Sequence, residues 1–159
     1  MGKLLENEQI RLRALEPEDL ETLYLWENDP DNWIVSNTLI PFSRYSLKEF
    51  IKQSSADIFE TRQLRLMITL ISDEQPVGAI DLFDLDPFHR RAGVGILIHR
   101  PENRNKGYAT LALGLLKEYS FNHLKLHQLY CNIASSNQAS LKVFIKNGFR
   151  IIGEKKDWQ

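Results

Sequence analysis

At 159 residues, 43% hydrophobic and 26% charged, the chain has the length and composition of one self-folding globular domain. Twenty Lys and Arg against 21 Asp and Glu exclude the global positive field that would hold a protein on nucleic acid or on an anionic membrane. The single cysteine, Cys131, excludes an internal disulfide and a cysteine-based zinc set, and fits a reducing, cytoplasmic compartment. No run of 18 apolar residues occurs, and Met1 to Ile10 carry no apolar segment after a basic start, so neither a membrane span nor a secretory signal is expected. Without repeats, low-complexity runs or linkers, one domain over residues 1–159 is expected.

Ile10 to Leu15 alternate apolar and charged residues, the period of a half-buried strand. Pro17 opens a helix, with Glu18 and Asp19 in its first turn and Leu20, Leu23 and Tyr24 at helical spacing, and Asp29-Pro30-Asp31 ends it. Ser46 and Glu49 read as a capping box that starts a second short helix through Phe50 and Ile51. Leu64 to Ile71 and Val77 to Leu85 read as strands that pair antiparallel across the polar turn at 72–76. Ala92 to His99 is a third apolar run and the fourth strand, in which Gly93 and Gly95 indicate a bulge or a close approach by another group. After a loop from Arg100 to Lys106, Tyr108 to Leu124 form a helix, and Leu126 to Ala134 read as a strand. Ser136 or Asn137 caps a helix carrying Leu141, Phe144 and Ile145, Asn147-Gly148 ends it, and Phe149 to Glu154 read as a last strand. This order is an α+β layout with a mixed sheet.

The segment Arg104-Asn105-Lys106-Gly107-Tyr108-Ala109-Thr110 joins a strand end to a helix start, where unpaired N–H groups and the positive end of the helix dipole favour an anion. Gly107 and Ala109 remove bulk from the approach, and Arg104 and Lys106 add charge; a surface loop that only caps a helix is the alternative. Neither a Walker loop nor a dinucleotide-binding glycine motif occurs.

Arg104-x-x-Gly107-x-Ala109 resembles the pyrophosphate loop of the GNAT acetyltransferase superfamily, and Asn137 to Phe149 are similar to that family's N-x-x-A-x-x-x-[Y/F]-x-K-x-G-F block. The likeness runs from about Ile10 to Gly153. With His89-Arg90-Arg91-Ala92 it lies nearest the spermidine acetyltransferases and the branch that acetylates ribosomal-protein N-termini. It implies a splayed mixed sheet with helices on both faces, and acetyl-coenzyme A as cosubstrate. In that reading Arg104, Asn105, Lys106, Gly107, Tyr108, Ala109 and Thr110 hold the pyrophosphate. Leu97, Ile98 and His99 pair with the pantetheine arm through their backbone, and Asn137 and Lys142 of the second block complete the cosubstrate site. For Asn137, a plain helix N-cap is the competing reading.

Two positions depart from the family. Phe144 stands where a tyrosine often protonates the leaving thiolate, and a phenyl ring has no proton to give. Gly93 stands where the polyamine branch has a glutamate. Replacement bases are sought among Asp81, Asp84 and Asp86, of which the strand period puts Asp84 and Asp86 on one face and Asp81 on the other. Trp26, Glu27, Asp29, Asp31 and Trp33 crowd aromatics and carboxylates into one stretch suited to an amine acceptor, with Asp86 as a further candidate contact. The expectation is therefore an N-acetyltransferase acting on a polyamine, a protein N-terminus or another small amine, with no metal. A catalytically weak coenzyme A sensor or scaffold is the alternative. The family's usual strand after 149–154 has no counterpart before Gln159; it is missing, supplied by another subunit or cut away, and an open edge there would favour a homo-oligomer.

Overall fold

The computed structural model describes residues 4–159; the reading of the extreme amino terminus at Met1 to Lys3 lies outside them. Strand β1, Ile10–Ala14, leads into a 3-10 turn at Pro17–Asp19 and helix α1, Leu20–Glu27. The buried Asp19 carboxylate accepts two hydrogen bonds from the Arg13 guanidinium, at 2.8 and 2.9 Å, and one from the Glu16 N–H at 2.8 Å, which fixes the angle between strand and helix. Asp29-Pro30-Asp31 does end α1, but it also begins a helix the sequence reading lacks, α2, Pro30–Ser36. Asp29 caps it by accepting from the Asp31 N–H, with Pro30 at the first helical position.

Helix α3, Arg44–Gln53, starts a turn earlier than the Ser46/Glu49 box predicts. Ser43, extended at φ −85° and ψ 157°, is the true cap and accepts from the Ser46 N–H at 3.0 Å. The Ser46 hydroxyl meanwhile donates to the Ser43 carbonyl. A short helix α4, Ile58–Thr61, precedes β2, Leu64–Leu70, β3, Pro76–Asp86, and β4, Arg91–Ile98.

Helix α5, Tyr108–Glu118, continues as a widened π-type turn over Tyr119–His123 where one regular helix to Leu124 is predicted. The expected strand at 126–134 shrinks to β5, Gln128–Tyr130, and helix α6, Gln138–Lys146, comes after it. Phe149 to Glu154 form no strand. The Phe149 N–H turns back to the Phe144 carbonyl at 3.0 Å, and residues 150–154 are exposed with no strand beside them to complete a ladder.

The sheet order is β1-β2-β3-β4-β5, antiparallel throughout except for the parallel β4–β5 pair. Alternation along the strands sends side chains to two cores. Ile10, Leu12, Leu66, Ile68, Ile80, Leu82 and Val94 meet Ala112, Leu113 and Leu116 of α5 and Phe144 of α6. On the other face Met67 and Ala79 meet Leu23 and Trp26 of α1 and Leu47 and Ile51 of α3. Each such buried Leu or Ile contributes roughly 1.5–3 kcal/mol, so the helices are held on both faces chiefly by this burial.

Register overturns one expectation. Between Phe83 and Asp86, β3 carries one residue more than β4 does between Gly93 and Arg91. The extra residue flips the parity of the positions after it. Leu85 joins Leu82 in the α5-side core, and Asp86 falls on the face of Asp81 and Phe83. Asp84 sits in the bulge at φ +47°, so the predicted sharing of a face by Asp84 and Asp86 does not hold.

The glycines of the sheet are not equivalent. A Cβ on Gly78 would lie 2.1 Å from the Leu97 carbonyl oxygen, a backbone atom that cannot turn aside, whereas a Cβ on Gly95 would meet only the Phe83 ring, at 3.9 Å. Gly78→Ala is expected to destabilise the fold by about 1–3 kcal/mol, the range of overpacking, while Gly95→Ala stays within about 0.5 kcal/mol of the parent. Urea unfolding of the two variants checks the contrast.

Candidate active site

β4 is saturated on one side only. It pairs with β3 over its whole length, from Arg91 to Ile98, but with β5 only through Arg91, Ala92 and Gly93. Beyond Gly93 and Tyr130 the two strands diverge and leave a cleft. The His99 N–H bonds the Val77 carbonyl at 2.8 Å, so by antiparallel alternation the odd residues His99, Leu97 and Gly95 spend their backbone groups on β3. Ile96 and Ile98 turn theirs toward the cleft. Of the predicted trio Leu97, Ile98 and His99, Ile98 therefore has the open backbone, and Ile96 is the position that the sequence reading lacks.

The loop after β4 reaches α5 through an unusual run of backbone. Arg100, Asn105 and Gly107 all have positive φ, at +67°, +63° and +80°. Gly107 is the N-cap residue of α5, and no atom lies within 4 Å of where its Cβ would be. The Leu111 N–H closes the first helical turn on the Gly107 carbonyl, so Tyr108, Ala109 and Thr110 carry N–H groups without an intrahelical acceptor. Arg104, Asn105 and Lys106 are exposed beside them. This open seat, with the helix dipole behind it, suits a phosphate.

α6 is tied to the same region. Asn147 donates from Nδ2 to the Thr110 carbonyl at 3.3 Å, and Lys117 Nζ donates to the Asn147 carbonyl. Asn137 caps α6, its Oδ1 accepting from the Ser140 N–H at 3.2 Å, and Lys142 is exposed one turn on. Phe144 is 6% exposed and meets Phe149 edge to face at 4.9 Å, so its ring is a core contact between α6 and the chain after it.

The α1–α3 face of the sheet carries the charged groups. Arg65 of β2 stands opposite Asp81 of β3 and donates to both of its oxygens, Nε to Oδ1 and Nη2 to Oδ2, each at 2.8 Å. Its remaining nitrogen, Nη1, donates to Glu27 Oε1 on α1. Burial disfavours the guanidinium charge, but the Asp81 and Glu27 carboxylates outweigh it and hold Arg65 well above the usual arginine range. Asp84 is exposed, with no ion pair or hydrogen bond among the described residues. At Gly93 the Phe83 ring fills the space beside the backbone, since a Cβ there would lie 2.3 Å from Cε2.

Phe83 in turn meets Tyr130 edge to face at 6.3 Å, which puts a phenol at the mouth of the splay. Burial, helped by the Asp84 charge, keeps that phenol protonated to higher pH than usual. The sequence reading singles out neither Arg65 nor Tyr130. The alternation that would pair Arg65 with Asp81 needs the hairpin register, which residue type alone does not supply. Trp26 is buried and lies 5.2 Å from the His99 ring; burial, with Arg100 nearby, lowers the His99 pKa and favours the neutral ring. Trp33 donates from Nε1 to the Glu27 carbonyl at 2.7 Å and so braces α2 on the end of α1. Asp86 is apart from this group. It caps the β3–β4 turn.

A sheet that opens beside a helix start with free N–H groups agrees with what the chain matches. The model of the Acetyltransferase (GNAT) domain family matches residues 9–150. The chain belongs to the GNAT acetyltransferase family. Spermidine N(1)-acetyltransferase of Escherichia coli K12 is 29% identical over 152 residues, covering 91% of this chain and 75% of that protein. Acetyltransferase PseH of Campylobacter jejuni is 26% identical, covering 91% and 85%. Among solved structures, spermidine N-acetyltransferase of Vibrio cholerae in complex with coenzyme A and spermine superposes with a TM-score of 0.82 at 26% identity, covering 92% and 84%. As a GNAT enzyme, the chain uses acetyl-coenzyme A and transfers an acetyl group to an amine, and no finding favours the sensor or scaffold alternative. Among the described residues no helix is long and apolar enough to cross a membrane.

The turn at Asp86 yields a pH test. Its carboxylate accepts from the His89 and Phe88 N–H groups and pairs with His89 Nδ1 at 2.9 Å. Led by the His89 backbone bond, these lower its pKa from 3.8 to about 2. A carboxyl depressed in the fold stabilises it above the unfolded pKa and loses that contribution as pH falls toward the folded value. Asp86→Ala should therefore melt below the parent at pH 6, with the gap narrowing below pH 4 and nearly closing by pH 2. Thermal melts across that range check it.

Proposed function

We propose that the cleft between β4 and β5 holds acetyl-coenzyme A and that the α1–α3 face beside it receives a small primary amine of the polyamine class. The observation that carries this reading is the open edge of β4 leading directly to an uncapped helix start. The pyrophosphate takes the N–H groups of Tyr108, Ala109 and Thr110, with Arg104, Asn105 and Lys106 around it and Gly107 leaving the approach clear. The pantetheine amides pair with the cleft-facing backbone of Ile96 and Ile98, between Leu97 and His99, and Asn137 and Lys142 flank the far wall. The acetyl carbon then lies near the splay, level with Gly95, where Asp81 stands on the neighbouring strand.

Attack requires a neutral amine and a leaving group that can carry charge. Placement of the two reactants supplies much of the rate, since well-oriented intramolecular reactions gain about 7–11 kcal/mol. Of the three candidate carboxylates, Asp84 is the freest to accept a proton from the ammonium, because both oxygens of Asp81 are engaged by Arg65 and those of Asp86 by the turn it caps. Asp81 with Glu27 then serves to attract the cation, and Trp26 and Trp33 brace the helices that carry this wall. Asp86, at the far end of β3, is at most an outer contact. The lone cysteine suits a cytoplasmic enzyme: Cys131 is half-buried and burial raises its pKa to about 11, which keeps it a thiol. No metal takes part in this scheme. Self-association through the exposed segment 150–154 is also part of the reading, supported by its apolar Ile151 and Ile152 and by a dodecameric Vibrio cholerae spermidine N-acetyltransferase of TM-score 0.74.

A thiol-release assay with acetyl-coenzyme A over a panel of amines and N-terminal peptides tests the acceptor class; turnover confined to peptides would overturn it. At the loop, Gly107→Val strains a backbone at φ +80° and fills the approach, so acetyl-coenzyme A affinity should fall at least tenfold, about 1.4 kcal/mol. Gly107→Asn tolerates the positive φ and separates strain from obstruction. If calorimetry finds both folded variants binding like the parent, the loop assignment fails.

A further inference from the structure

Arg65 sits among more charge than one stabilising contact needs. It comes from β2, Asp81 from β3 and Glu27 from α1, so three separate elements meet in one group. The side chains are 19%, 27% and 15% exposed. From α3 the Phe50 ring lies 5.0 Å from the guanidinium carbon. A partly buried triad of this kind adds little net stability, because removing its charges from water offsets most of their attraction. It also leaves one negative charge uncompensated.

That charge is at the wall of a cavity. A space of about 250 Å³ is lined by Glu27 and Arg65 together with Phe42 and Phe50, and a smaller one of about 50 Å³ adjoins it along Arg65, Phe50 and Asp81. Aromatic sides with an anionic end match an alkylammonium chain. Among the residues that line the two spaces, Glu27, Asp81 and Arg65 are the charged ones.

We propose that Arg65 is a positioning residue for the acceptor: it holds the Glu27 and Asp81 carboxylates at fixed separation, as the anionic wall that receives an ammonium group of the amine. Arg65 acts through these two carboxylates rather than on the reacting atoms. The proposal rests on the acetyltransferase reading of the cleft and deepens it. Without the guanidinium, two like-charged carboxylates from different elements share one partly buried space with nothing to fix their separation.

The test uses the full chain, with spermidine and acetyl-coenzyme A as probes, titrated by calorimetry at pH 7.5 and followed by steady-state kinetics. In Arg65→Met, spermidine affinity should fall at least tenfold, while acetyl-coenzyme A affinity stays within about twofold of the parent. Arg65→Lys, which keeps the charge but loses the fork, should restore part of the affinity. Glu27→Gln should raise the spermidine KM with kcat nearly unchanged, and it guards against a Met variant that does not fold. Equal weakening of both ligands would reduce Arg65 to a structural role and overturn the proposal. So would tighter spermidine binding in Arg65→Met, which would mean that the guanidinium competes with the acceptor. A parent that binds acetyl-coenzyme A but not spermidine overturns it too, whereas a parent that binds no acetyl-coenzyme A overturns the functional reading beneath it.

Discussion

The two edges of β4 have different fates, and the rest of the molecule is arranged around that difference. Toward β3 the strand is hydrogen-bonded along its whole length; toward β5 the pairing stops after Gly93. A backbone edge left open inside a domain needs partners, because an unmet N–H or C=O away from water is expensive. On the proposed reading, the amides of a pantetheine arm are those partners. Closing the sheet instead, by extending β5 along β4, would satisfy the edge and abolish the cleft. The parallel direction of β5 helps to prevent this, since the chain must first run back through α5, and α5 itself is anchored to α6 through Lys117 and Asn147.

Much of this is legible in the sequence because it rests on local rules. Strand β1 follows from alternation and β2 to β4 from apolar runs bounded by polar turns, and the start of α5 and the cap of α6 follow from Gly107 and Asn137. The failures share a physical cause. A strand is stable only beside another strand, so the apolar run at 149–154 has the composition of one and lacks the neighbour. Ser46 and Glu49 have capping chemistry, but Ser43, where the chain is already extended, caps the helix one turn earlier by taking the Ser46 N–H. The bulge at Asp84 has no signature in residue type, and it moves Asp86 to the other face. The Arg65 cluster joins residues 38 and 16 positions apart, which no local pattern connects.

The departures at Phe144 and Gly93 have a structural counterpart. Phe144 packs on Phe149 inside the core shared by α5 and α6. Gly93 has no side chain because the Phe83 ring occupies that space, and Phe83 also bears on Tyr130. Of the two, only Gly93 bears on the mouth of the splay: an aromatic ring from β3 takes the place where a side chain from β4 would have stood. A glutamate introduced at Gly93 alone would meet that ring before it met any amine.

Charge is distributed to match the two walls of the cleft. A chain of net charge −1 must still attract a cosubstrate that carries several phosphate charges, so the positive field has to be local. Arg100, Arg104 and Lys106 surround the start of α5, whose dipole adds to them, and three residues of that loop are held at positive φ. Such backbone is costly, about 1–3 kcal/mol per non-glycine residue, and persists only where the surrounding structure enforces it. Its effect is to leave the N–H groups of Tyr108, Ala109 and Thr110 facing outward before any ligand arrives. On the α1–α3 side the sign reverses, with Glu27 and Asp81 both on the Arg65 guanidinium. On the proposed reading, an anion and a cation are drawn to opposite walls of one cleft, and what brings their reactive ends together is the geometry of β4 between them.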